Sequence, residues 1–222
     1  MTLTFLDLYN ATAEQAWSMF DADAESAEDF ESGLKSAINT ALTEIWCSYD
    51  FPFRVKDQTF RTKPNVTSYN LPRGNILKKD IDNASYYWIK CDGAFLSYIR
   101  DYELLEPSTG KPTGFYVDQN KLYLYPTPDA FYNVQMKYLT LEIGYSEEGD
   151  VRFEFLEDGD YLDIPEEYET LFKNVLIKKA MLYAVCAPSD ENYPGYLEQY
   201  NNAYKTLIKY CTGLDRIQRI VR

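Results

Sequence analysis

The segment 110–129, running on through 131–139, constrains this chain more than any other part of it. Two alternating aromatic and aliphatic runs, 115–117 and 121–125, flank a polar turn in which Asn120 suits a positive-φ position. The second run ends in a stiff corner, Pro126, Thr127, Pro128 and Asp129, and leads to a further alternating strand over 134–141. Helix-period sequence stands on both sides of this β pattern. The chain therefore reads as a β module inserted into a helical scaffold.

Upstream, Phe5, Leu8, Tyr9, Thr12, Ala16, Met19 and Phe20 recur at helical spacing and predict a helix over 4–20, with Thr4 and Asp7 placed as a capping box. After the acidic joint 21–25, a second helix is expected over 26–48, capped at Ser26 and stopped by Pro52. Its apolar stripe is Phe30, Leu34, Ala37, Ile38, Ala41, Leu42, Ile45, Trp46 and Tyr49. Downstream, Pro165 suits a first helical turn, and Glu166 and Glu167 suit its positive end, so a third helix is expected to run to 187. A fourth, over 193–212, presents Tyr196, Leu197, Tyr200, Tyr204, Leu207, Ile208 and Cys211 and ends at Gly213. Stripes of this kind find burial only against one another, which predicts one bundle built from both chain ends.

The expected fold class is α+β: a four-helix bundle over 1–50 and 163–213, an inserted antiparallel β domain over 51–162, and a basic C-terminal arm over 214–222. Inside the insert, strands are expected at 53–62 and 66–71, then a turn at 72–75, a strand within 85–91 and a turn at Asp92 and Gly93. The stretch 94–105 stays open between strand and short helix. Val151, Phe153 and Phe155 alternate between two acidic turns, 147–150 and 157–160, and predict a solvent-exposed hairpin.

Chemistry is narrowed by what the chain lacks. It contains 0 histidines, which removes Ser-His-Asp and Cys-His catalysis and the HExxH metal helix. The glycines form no phosphate-cradling pattern, so no nucleotide cofactor is expected. Cys47, Cys91, Cys186 and Cys211 are too scattered for a zinc ribbon and read as buried thiols. The acidic turns lack the ligand spacing of a calcium loop and read as solvated, so no metal is expected. No apolar run reaches membrane-spanning length, and residues 1–9 do not have the form of a secretory leader, so cytoplasmic synthesis is expected. The sequons at Asn10, Asn65 and Asn83 then read as chance matches.

With 22 basic against 35 acidic residues, the formal charge of −13 argues against a phosphate backbone as the main partner. The 21 tyrosines and 3 tryptophans suit a protein interface, although a carbohydrate-binding or carbohydrate-cleaving surface on the Tyr-rich module is the alternative. Trp17, Trp46 and the helical tyrosines read as core. On the acidic background, the C-terminal tail stands out. Arg216, Ile217, Arg219, Ile220, Val221 and Arg222 alternate basic and aliphatic character beyond the last helix, as an arm that docks on an acidic or apolar partner would.

Several segments together resemble the head-to-tail connector, or adaptor, proteins of tailed bacteriophages, podovirus type. They are the second helix over 37–46, the aromatic run 49–53, then 60–62 and 69–72, the central 110–129 segment, the 134–138 strand, and 164–167 opening a helical last third. The resemblance covers roughly 30–210 and implies a structural subunit, not an enzyme. It implies a ring, typically of twelve copies, docked under the portal protein at the head–tail junction of the virion. Such a ring extends the DNA channel, through which DNA passes without specific binding, and offers a platform for the next tail or nozzle protein. Another tail or baseplate component is the nearby alternative. Twelve such chains would carry on the order of −150 formal charge, which would let DNA pass without adhering. On this reading the arm grips the portal, and Tyr123, Tyr125, Pro126 and Pro128 belong to a tail-facing β surface.

Overall fold

The first helix begins where its capping residues dictate. The Asp7 amide donates to the Thr4 hydroxyl (3.1 Å) and the Thr4 amide donates to the Asp7 carboxylate (3.2 Å), a reciprocal capping box. The structure, a computed structural model, describes residues 3–17, 27–81, 84–184 and 188–213. The helices are α1 (Phe5–Trp17), α2 (Ala27–Ser48), α3 (Glu166–Ala184) and α4 (Tyr193–Cys211). Between α2 and α3 come β1 (Val55–Arg61), β2 (Ser68–Asn70), β3 (Gly74–Ile76), β4 (Lys78–Ile81), β5 (Ala84–Tyr87), β6 (Ile89–Cys91) and β7 (Ala94–Phe95). They are followed by β8 (Ser97–Tyr98), β9 (Gly114–Asp118), β10 (Lys121–Tyr125), β11 (Asn133–Thr140), β12 (Gly144–Tyr145), β13 (Val151–Arg152) and β14 (Tyr161–Leu162). The fold is α+β. The open stretch 94–105 turns out to be both kinds of structure, two short strands and a 3-10 turn at Tyr102–Leu104.

The chain divides into two compact units: Met1–Phe53 with Glu142–Arg222, and Arg54–Leu141. In the first unit α3 touches α1, α2 and α4, and α1 touches α2. The stripe of α2 is buried as its spacing requires, with Leu34, Ile38, Ala41, Leu42 and Ile45 all at 1% exposure or less. Just past its end, Phe51 and Phe53 stack at 5.0 Å, and Phe172 of α3 meets both rings edge-on at 6.1 and 5.8 Å. Trp46 joins them, 6.0 Å from Phe172. Aromatic pairs in these geometries add about 0.5–1.5 kcal/mol each beyond area burial, so Phe51 and Phe53, on either side of Pro52, clamp the end of α2 to α3. On α4 only Leu207 is fully buried; Tyr200 and Tyr204 are half-buried against the core rather than inside it.

The segment 142–162 belongs with these helices, not with the β insert. Its strands form a small sheet, β13-β12-β14, and the Phe5 and Leu162 amides bond to the Asp160 and Leu3 carbonyls (2.8 and 3.1 Å). The exposed hairpin expected here does not form: only Val151 and Arg152 pair, and Phe155 is buried and stacks on Phe5 at 4.9 Å. Alternation alone could not show that the run bends inward after two residues.

In the second unit, β11 is the axis of a sheet ordered β1-β11-β6-β7, with β3 also paired to β11. A second sheet runs β2-β10-β9-β8, in which β8 and β9 are parallel, a departure from the all-antiparallel expectation. Strand alternation sends Ile89, Cys91, Val134 and Met136 of the first sheet and Phe115, Leu122 and Leu124 of the second into one shared core. The β9–β10 turn has Gln119 and Asn120 at φ 45° and 61°, the two positive-φ residues that a two-residue hairpin of matching twist requires. The strand after the Pro126–Asp129 corner therefore lies in the other sheet; the corner carries the chain across.

Candidate interaction surfaces

That corner is braced on both sides. Thr62, fully buried, donates its hydroxyl to the Ala130 carbonyl (3.0 Å) and accepts from the Tyr132 amide (2.7 Å). The Asn65 amide bonds the Pro128 carbonyl (2.8 Å), and on the other side the Gly110 amide donates to the Thr127 carbonyl and the Thr127 amide to the Ser108 carbonyl (2.8 Å each). Tyr132 closes the corner by donating to Asp129 (2.6 Å), and that charged acceptor pushes its phenol up to about 12. Pro128 is buried in this knot, so it supplies rigidity and not the contact surface expected of it; Pro126 is half-buried.

The outer face of the second sheet carries a ladder of tyrosines. Tyr123 stands opposite Tyr116 in register, and the rings stack at 4.7 Å and 2°. Tyr102, from the 3-10 turn, stacks on the far side of Tyr116 at 4.5 Å and 3°. Nearby Asp118 pushes the Tyr102 phenol up and burial does the same for Tyr116, so both stay neutral O–H groups. Tyr125, half-exposed, donates to the Glu106 carbonyl (3.1 Å). A sugar-stacking platform needs open ring faces. Here both faces of Tyr116 are covered by its neighbours, which suits a protein contact better. Tyr116 was legible from strand alternation; Tyr102 was not, since a 3-10 turn brings it there.

The outer face of the first sheet is basic and aromatic. Lys90 lies 4.7 Å from the Trp88 ring and 4.5 Å from Phe95, and Lys137 lies 4.9 Å from Trp88 on its other neighbour strand. Trp88 and Phe95 meet edge-on at 5.9 Å. Asp57, opposite Lys137 in register, sits 3.4 Å from its ammonium. No local pattern announces this cluster. Trp88 falls between two strands and is placed by bonds from its amide to Leu77 (2.7 Å) and from Lys137 to its carbonyl (2.9 Å).

Charge is divided unevenly between the units. Arg54–Leu141 holds 12 Lys and Arg against 9 Asp and Glu, a formal +3, and the remaining residues hold 10 against 26, a formal −16. In the acidic unit Glu147, Glu148, Asp150 and Glu157 are exposed. The two turns bearing them lie side by side, since a Cβ on Gly159 would overlap the Glu147 side chain. Beneath them Asp160, at 1% exposure, accepts from Arg152 Nε (2.9 Å) and from the Leu156 and Glu157 amides (2.7 and 3.1 Å). Burial pushes its carboxyl up, but the Leu156 amide, Arg152 and the Glu157 amide outweigh this and hold it below the usual range.

The expected arm, Arg216, Ile217, Arg219, Ile220, Val221 and Arg222, lies outside the described residues, as does Cys186. Of the remaining thiols Cys91 is buried, Cys211 half-buried and Cys47 exposed, which corrects the expectation of uniform burial. A family model described as SU10 adaptor protein matches residues 3–221. The chain belongs to the SU10 adaptor protein family. No curated protein matches it. The match spans both units, so the helical scaffold and the β insert are parts of one phage structural adaptor, a component of the virion that associates with other head and tail proteins. Among the described residues of this adaptor no helix is long and apolar enough to cross a membrane.

Proposed function

We propose that this adaptor is one copy of a ring, of twelve chains, that docks under the portal protein at the head–tail junction, extends the DNA channel and presents a platform for the next tail or nozzle protein. The family match over 3–221 carries this reading. The surfaces fit it without any catalytic role. In this reading the four helices close on one another as a bundle around α3, which touches the other three. The acidic helical unit, at −16, lines or borders the channel and lets DNA slide past without adhering. The arm at 214–222, with Arg216, Arg219 and Arg222 at every third position among Ile217, Ile220 and Val221, grips the portal and orders on binding. The braced corner holds Tyr123, Tyr125 and Pro126 as a rigid face toward the tail.

The test is co-sedimentation of the full chain with purified portal rings, with copy number counted by native mass spectrometry, and again after deletion of 214–222. The ring reading expects saturation at a fixed stoichiometry and expects the truncated chain to bind portal far more weakly. Equal binding by the truncated chain removes the arm from the portal contact. No binding by the full chain removes the ring reading.

A further inference from the structure

We propose that the outer face of the five-stranded sheet, centred on Lys90 and Lys137 over Trp88 and Phe95, docks on the acidic turns at 147–150 and 157–158 of a second copy of this chain. The assignment rests on the ring reading above and names the surfaces by which neighbouring copies meet.

Three observations carry it. First, the unit bearing Lys90 and Lys137 is the basic one, on a chain whose other unit carries −16, so another copy's acidic unit is an electrostatic complement to this face. Second, the face has the anatomy of an interface. A half-exposed Trp88 lies against the Lys90 and Lys137 ammoniums and a 37% exposed Phe95 against that of Lys90, and among the described residues Asp57 sits 3.4 Å from Lys137. Third, the two acidic turns are brought into one exposed group by the β13-β12-β14 sheet. Asp158 of that group already holds Lys35 at 2.9 Å, so a lysine ammonium fits there.

The geometry also separates this partner from a nucleic acid. Bases stack on open aromatic faces, and here Lys90 and Lys137 lie over the Trp88 ring while Lys90 also lies over Phe95. The unit that bears this face totals only +3, well short of the concentrated basic charge that a phosphate backbone recruits. Because the basic face and the acidic turns are different surfaces, the contact is head-to-tail. A head-to-tail contact does not stop at a pair: it closes into a ring where the rotation between copies closes and runs on as a filament where it does not.

The experiment mixes isotopically light and heavy full-length chains, free and on portal rings, joins touching lysines and carboxylates with a zero-length carbodiimide, and maps the links by mass spectrometry. Links between light and heavy chains from Lys90 or Lys137 to Glu147, Glu148, Asp150 or Glu157 are expected. In parallel, K90E/K137E and E147K/E148K are each expected to weaken copy–copy association at least about tenfold, with circular dichroism matching the wild type. A chain carrying all four changes is expected to recover association. Absence of the light–heavy links, or wild-type association by both charge-reversed variants, overturns the assignment. A closed ring without these links overturns the assignment and spares the ring reading; the links without a ring do the opposite. Retention of a short DNA duplex that K90E/K137E alone loses, with no copy–copy links, gives the face to nucleic acid and overturns the proposal.

Discussion

Thr62 and Tyr132 bind each other in both directions: the Thr62 amide donates to the Tyr132 carbonyl (2.8 Å), and the Tyr132 amide donates to the Thr62 hydroxyl (2.7 Å). The same hydroxyl donates to Ala130 (3.0 Å), so one buried side chain fixes the end of the corner that joins the two sheets. Valine has nearly the same shape but no hydroxyl. Thr62→Val leaves the Tyr132 amide and the Ala130 carbonyl without that partner, at a cost of about 1–3 kcal/mol. Thr62→Ser keeps the bonds and loses only a methyl group, so it is expected to cost less. Urea unfolding of the two variants checks the order, and equal loss in both would show that packing, not hydrogen bonding, holds the corner.

Asp160 gives the acidic unit a defined response to acid. Its carboxyl is held below the ordinary value by the Leu156 amide, Arg152 and the Glu157 amide, against burial. A depressed carboxyl contributes stability that is fully present above the unfolded-state value of about 3.9 and is lost as pH falls through the lower folded value. Asp160→Asn is therefore expected to be less stable than wild type at neutral pH, by about 2–4 kcal/mol, with the gap narrowing below about pH 4. Thermal melts from pH 7 downward measure it. A gap independent of pH would mean that Asp160 acts only by shape.

The helices were legible because their signals are local: the Thr4–Asp7 box, the α2 stripe and Gly213, at φ 72°, each mark their own position. The β9–β10 hairpin was legible for the same reason, since Gln119 and Asn120 sit where the alternation breaks. What stayed hidden depends on contacts far along the chain. Phe155 is buried because Phe5 lies beneath it, Tyr102 joins the ladder through a turn, and Trp88 meets Lys137 across a break between strands. Charge was misleading as a single total, because −16 and +3 sit on different units.

Tyr116, stacked on both sides, is the keystone of the ladder. Tyr116→Phe keeps both stacks, at 4.5 and 4.7 Å in the native protein, and is expected to leave stability within about 0.5 kcal/mol. Tyr116→Ala removes both, each worth about 0.5–1.5 kcal/mol beyond its burial. If the ladder is the tail-facing surface, Tyr123→Ala weakens capture of the next tail protein while portal binding stays at its wild-type level. Glycan arrays probed with the wild-type chain are expected to be blank. Sugar binding lost in Tyr123→Ala would return the surface to carbohydrate.

Phe155 and Leu156 are neighbours with opposite fates, 2% and 62% exposed. Phe155 stacks on Phe5 at 4.9 Å and lies in the helical core, and its amide and carbonyl both bond the Asn39 side chain (2.9 Å each). Asn39 thereby ties α2 to a segment that the alternation pattern alone would place in solvent. Phe155→Ala opens a cavity between α1 and α2 and is expected to cost about 3–5 kcal/mol. Leu156→Ala removes an exposed side chain and is expected to stay within about 0.5 kcal/mol. Asn39→Ala strands both backbone groups of Phe155 and falls between them, at about 1–3 kcal/mol. Chemical denaturation of the three variants decides it: comparable, small losses for Phe155 and Leu156 would put the segment back on the surface as a hairpin, whereas the expected order shows that residues 142–162 fold as part of the helical unit.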